Sequence, residues 1–165
     1  MKHLYFIGLL SLTPILCVAQ RSAKNIYLEL GGPGFFSANY DMRLSKSNDG
    51  LGVRVGVGII SDLQASGITL PVGLNYILGN RKNFLEIGGG ASYVNLPGVN
   101  QDQPFNFPGE SFVVGYGWLG YKHQPADKGF TFRAGFCQYL RDLNLPTILG
   151  VPNLYPALSF GYSFQ

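Results

Sequence analysis

The segment LSFGYSF at 158–164 puts Leu158, Phe160, Tyr162 and Phe164 on one face and Ser159, Gly161 and Ser163 on the other. Side chains of an extended strand alternate between faces, so this is period two, large apolar against small. The pattern recurs along the chain. Phe36, Ala38, Tyr40, Met42 and Leu44 alternate with Ser37, Asn39, Asp41 and Arg43. Leu51, Val53, Val55, Val57 and Ile59 alternate with Gly52, Arg54, Gly56 and Gly58. Ile68, Leu70, Val72, Leu74 and Tyr76 alternate with Thr69, Pro71, Gly73 and Asn75, and Phe130, Phe132, Ala134 and Phe136 with Thr131, Arg133 and Gly135. Around 111–122, Leu119 and Tyr121 read as outward and Lys122 as inward, while the half before them reads either way.

Gly, Pro, Asn and Asp clusters divide these runs into eight predicted strands, 25–32, 35–45, 51–61, 68–78, 83–94, 111–122, 130–139 and 155–164. Most run 9 to 12 residues. Ordinary strands average about five or six, whereas a strand crossing a bilayer at a tilt needs about 9–11. Beyond the N-terminal segment no useful stretch has helical period.

Which face meets the surroundings follows from side-chain size. A water-facing sheet normally carries Lys, Glu, Gln and Thr. Here the polar face is mostly Gly and small residues with isolated charges, which suits a narrow interior. An eight-stranded antiparallel up-and-down transmembrane β-barrel is therefore expected, all-β, with its apolar face toward lipid. In hydrocarbon every backbone group must pair within the protein, so the last strand should close on the first. The charges on the small-residue face are Glu29, Asp41, Glu86, Arg43, Arg54, Lys122 and Arg133. Buried charges require partners, so a lumen ion-pair network that plugs the bore is expected. The alternative for each, Lys122 first, is a solvated rim position. Two other architectures stay open. In a secreted soluble barrel holding a small apolar ligand, Val53, Val55 and Phe132 would line a cavity while Arg54 and Arg133 face water. A narrow outer-membrane pore is the other.

The connections show an asymmetry. Residues 45–50, 79–83 and 123–129 are short and polar, while 95–110 and 141–154 are long and fall at the opposite end. Short turns at one end and long loops at the other suit an outer-membrane barrel. The first connection, Gly32-Pro33-Gly34, is short and breaks the trend. At the N-terminus, Lys2 and His3 precede an apolar run from Leu4 to Leu12, then Pro14 and Cys17-Val18-Ala19. This reads as a secretory signal peptide over 1–19, cleaved after Ala19, leaving a barrel domain over 20–165. The run is shorter than the roughly 20 residues of a membrane-spanning helix. A lipoprotein site at Cys17 would have Leu16 where a small residue is wanted.

Composition narrows the chemistry. The 165 residues include 23 Gly, 10 Tyr and 12 Phe, only 13% are charged, and the net charge is +3. No Lys/Arg block interleaves with aromatics, so a nucleic-acid surface is not indicated. Past the signal peptide one cysteine, Cys137, and one histidine, His123, remain. One cysteine forms no internal disulfide and supports no zinc cluster, so Cys137 reads as a small apolar strand residue. His123 falls at a turn on the short-loop side, far from where an outer-leaflet lipid enzyme would work. Glu29 and Glu86 lack an open cleft for acid/base work. Gly88-Gly89-Gly90 follows a strand pattern with no helix after it, so it is not a nucleotide loop. Bends that help close a small barrel are expected there. Phe105 and Phe107, between prolines in a long loop, are candidate contacts with a partner, or they fold over the mouth. The loop ending DLNLPTILGVPNLY is apolar for a water-facing segment.

Several segments carry a resemblance: IYLELGGPGFFSANYDMRL, ITLPVGLNYILG, NFLEIGGGASY, FRAGF and LSFGYSF. Together they are similar to a family of small outer-membrane β-barrel proteins of Bacteroidota. The resemblance implies fold and location, not a mechanism. The closing SFGYSF also resembles the terminal signal of bacterial outer-membrane proteins. That likeness implies recognition by the barrel insertion machinery through Phe160, Tyr162 and Phe164, with Gln165 after the last aromatic as a departure. The resulting expectation is a structural or interaction protein of the cell envelope. It would be non-enzymatic, without cofactor or metal, monomeric, and in contact with outer-membrane lipid and lipopolysaccharide.

Overall fold

The computed structural model describes residues 22–45, 47–61, 66–96, 110–141 and 150–165. The strands are β1 (Lys24–Leu30), β2 (Phe36–Arg43), β3 (Gly50–Ser61), β4 (Ser66–Asn80), β5 (Asn83–Leu96), β6 (Glu110–His123), β7 (Gly129–Tyr139) and β8 (Leu154–Phe164). They form one closed barrel in chain order. Each pairs antiparallel with the next, and β8 returns to β1, with Leu28 opposite Phe160 and Ile26 opposite Tyr162. Closure leaves no sheet edge along the paired wall. The expected signal peptide, residues 1–19, and the loop residues Phe105 and Phe107 lie outside the described residues.

The wall has the inside-out polarity that the alternation implies. Val55 is 48% exposed and Phe160 46%, on the outside. Arg54 is 3% exposed and Arg133 1%, on the inside. Val53 and Phe132 share the outward parity of these strands, and Phe132 packs in the outer aromatic cluster, 5.2 Å from Phe160 and 6.4 Å from Tyr121. The soluble-barrel arrangement, with Val53, Val55 and Phe132 lining a cavity, is therefore not the one adopted. The ambiguous strand also resolves: Leu119 and Tyr121 are outward, and Val114, Tyr116, Trp118 and Lys122 are inward.

Two local features follow from backbone chemistry. Pro71 sits inside β4 and offers no N–H. The β3–β4 ladder passes from Val55 opposite Val72 to Gly58 opposite Thr69, missing two pairs at Pro71 without a register shift. The register through Gly88-Gly89-Gly90 is unbroken with both neighbouring strands, so no bulge occurs there.

The second feature is the β1–β2 connection. The strand expected over 25–32 stops at Leu30, because Gly31 and Gly32 turn to φ 75° and 69°. A Cβ on Gly31 would lie 2.1 Å from the Pro156 carbonyl oxygen, so glycine is required on two grounds. A 3-10 turn, Gly32–Gly34, then folds into the bore and is buried. The flanking strands rise higher. β1 pairs with β8 only up to Leu158, leaving 154–157 of β8 beyond it, and β2 pairs with β3 only up to Ile59. The wall is thus notched above the β1–β2 hairpin.

Candidate functional site

Inward-facing residues of all eight strands meet in the bore, and the sequence alternation selects them. All seven charges of the expected network are buried, and five ion pairs join them. Glu29 receives Arg54 on one oxygen and, on the other, Arg133 Nη1 at 3.0 Å and the Ser159 hydroxyl at 3.0 Å. Glu86 is gripped by Arg133 in a fork, with Nε donating at 2.7 Å and Nη2 at 3.0 Å. Asp41 receives Arg43 at 2.5 Å and Lys122 on its second oxygen. Four cations thus share three carboxylates, and each cation touches at least one. None is a solvated rim group, Lys122 included.

Neutral residues knit the ions together. Asn75 donates to Glu86 at 2.6 Å and accepts from Arg43 Nη2 at 2.6 Å. Asn39 accepts from Arg54 Nε at 3.1 Å and Nη2 at 2.9 Å. The Arg133 guanidinium lies 4.8 Å from the Tyr27 ring centre and 4.6 Å from that of Trp118, within cation–π range. Asn39, Asn75, Tyr27 and Trp118 were not among the expected site residues. Their signal was present: Tyr27, Asn39 and Trp118 share the parity of an inward charge on their own strands, and Asn75 shares that of Thr69 and Gly73 on the small-residue face of β4.

Small residues make room for these groups. A Cβ on Gly52 would lie 2.2 Å from Arg43 Nη2, and one on Gly73 would lie 2.3 Å from the Tyr116 hydroxyl. Gly88 and Gly90 face inward, and a Cβ there would lie 3.1 Å from Asn75 Cβ and 2.9 Å from the Tyr116 hydroxyl. Close packing is a visible reason for those two glycines.

The expectation of a bore filled by small residues and ions needs correction toward the loop end. There Val94, Val114, Tyr116, Trp118, Cys137, Tyr139 and Ala157 form a buried apolar cluster. The 3-10 turn sits over it, and the Tyr139 hydroxyl donates to the Gly32 carbonyl at 2.5 Å. At the turn end, Asn25 donates to Gln124 at 2.9 Å, and Gln124 donates to the backbone and side chain of Asn48 at 2.9 and 2.8 Å. Two turns are thereby clamped across the base. The space left among Arg54, Asn75, Tyr116, Trp118 and Arg133 is about 10 Å³. That is room for about one water.

The site's chemistry is electrostatic cross-linking. Glu29 and Glu86 are fully buried and committed to arginines. His123 ends β6 and contacts Asn83 at 3.1 Å, away from the ion network. Cys137 is buried in β7. No cluster of metal-ligating side chains occurs among the described residues.

Fold and site together define a closed, eight-stranded antiparallel barrel with an apolar exterior and a filled, charge-paired bore. Among solved structures the chain is similar to the N-terminal β-barrel domain of Pseudomonas aeruginosa OprF. The TM-score is 0.60, with 14% sequence identity over 88% of this chain and 98% of that one. At that identity the likeness speaks for the fold. No protein-family model and no curated protein matches the sequence.

Proposed function

We propose that this chain is a small outer-membrane β-barrel with a structural or interaction role in the cell envelope, closed to ions and without catalytic chemistry. The observation that carries this reading is the polarity of the wall. Large apolar side chains such as Ile26, Leu28, Val57, Leu74 and Leu119 stand outward around the barrel, while the ions are sealed inside. Water would penalise such an exterior, and hydrocarbon would not. The likeness to the OprF β-barrel domain supports the barrel fold on which the location rests, and the segment resemblance supports an origin among Bacteroidota barrels. In this reading residues 1–19 direct export. Phe160, Tyr162 and Phe164 engage the insertion machinery, and outer-membrane lipid and lipopolysaccharide surround a monomer.

Cell fractionation with spin labelling tests the assignment. The protein should remain in the membrane fraction until detergent is added. A label at Val55→Cys should contact lipid and one at Arg54→Cys should not; recovery in soluble periplasm, or the reverse labelling pattern, rejects it. Planar-bilayer recording tests closure. Defined single-channel conductance would replace the closed-barrel reading with a narrow pore.

A further inference from the structure

We propose that the notch above the β1–β2 hairpin is a binding groove for an acyl chain of a membrane lipid. The inference rests on the reading that the apolar exterior lies in a bilayer. The groove encloses about 290 Å³ and is lined by Leu30, Phe35, Phe36, Ile59, Ile60 and Tyr155, together with Gly31. No charged side chain lines it. Its two sides belong to different parts of the molecule. Leu30, Phe36 and Ile59 are members of the outward apolar belt. Phe35, Ile60 and Tyr155 pack against the apolar cluster inside the mouth. The groove therefore continues the lipid-facing surface through the wall toward the interior, with a mostly apolar lining that carries no charge.

The local backbone is built to hold this shape. Phe35 has φ 60° and ψ −94°, a positive-φ conformation that a bulky residue adopts only where its surroundings enforce it. Its ring stacks on Tyr139 at 5.6 Å and meets Tyr155 at 6.2 Å, which keeps an aromatic surface at the groove. The chemistry of the edge favours a hydrocarbon occupant over a peptide strand. Where β8 rises past the end of β1 it carries Pro156, which has no N–H to offer an added strand or to leave unpaired in hydrocarbon. An occupant that needs no hydrogen bonds and arrives sideways from the medium of the belt is an acyl chain.

The test uses the full-length protein in vesicles of phosphatidylethanolamine carrying a mid-chain diazirine, with cross-links mapped by mass spectrometry. Labelling is expected at Phe35, Ile60 or Tyr155 in addition to belt positions such as Val72 and Leu119. Ile60→Trp, which fills the groove, should abolish labelling at Phe35 and Tyr155 and leave Val72 unchanged. Ile60→Phe serves as a second filler if the first does not give the folded, heat-modifiable form. Belt labelling alone overturns the groove and leaves the membrane assignment standing, whether another part of the chain fills the space or nothing does. Groove labelling that survives both fillers also overturns it. Absence of labelling at the belt as well removes the membrane assignment and the groove with it.

Discussion

At the scale of single residues, the barrel is organised by buried ions that must stay matched. Lys122 touches Asp41 directly, and Arg43 shares the same carboxylate. Asp41→Asn strands those cations away from water, a loss expected at about 3–5 kcal/mol. Urea unfolding of vesicle-refolded protein would measure it. Adding Lys122→Met to that variant should recover part of the loss, because the unpaired charge is what costs. Lys128→Ala, in an exposed turn, should change stability by no more than about 0.5 kcal/mol. Glycines make an equally sharp contrast. A Cβ on Gly161 would sit 2.0 Å from the Ile26 carbonyl oxygen and 2.4 Å from Tyr27 Cβ, whereas one on Gly117 meets nothing within 4 Å. Gly161→Val should therefore abolish the heat-modifiable band on gels, and Gly117→Ala should retain it.

At the scale of elements, the seam between β1 and β8 decides whether the wall closes. Leu28 and Phe160 are opposite each other and both point outward. A Leu28→Cys/Phe160→Cys variant should form a disulfide on mild oxidation, seen as protection of both thiols from alkylation. A slip of one residue would turn one of the two inward and prevent the bond. The same seam shows why β1 and β2 can be short. Their loop folds inward as the 3-10 turn and fills the mouth, so less wall is needed there. Pro71 illustrates the reverse economy, since its lost ladder bonds are confined to one stretch of β4 by an unshifted register on either side.

At the scale of the whole molecule, the bore is closed three times over. The base is clamped through Gln124, the middle is filled by the ion network, and the mouth is packed with aromatics under a buried turn. A hydrated ion would have to break several charge-assisted hydrogen bonds to pass. Purified protein in planar bilayers is accordingly expected to show no defined conductance steps, which single-channel recording would check.

The alternation of large and small residues by itself determined the number of strands, their approximate limits and the polarity of the wall. Each of these depends on local period and size, which a linear chain displays directly. It also placed all seven charges on one face, because parity along a strand decides which way a side chain points. Which carboxylate meets which cation was decided only in three dimensions. Glu29 and Arg133 are far apart in the chain and become neighbours through closure and stagger of the barrel. The same holds for the aromatic mouth. In β6 both faces carry plausible residues; the unbroken register carries the inward parity of Lys122 through Trp118 and Tyr116, and only the folded barrel gathers them with Tyr139 beside the buried Gly-Pro-Gly turn. The notch, too, is a difference between the heights of neighbouring strands, a quantity that exists only once the sheet has closed on itself.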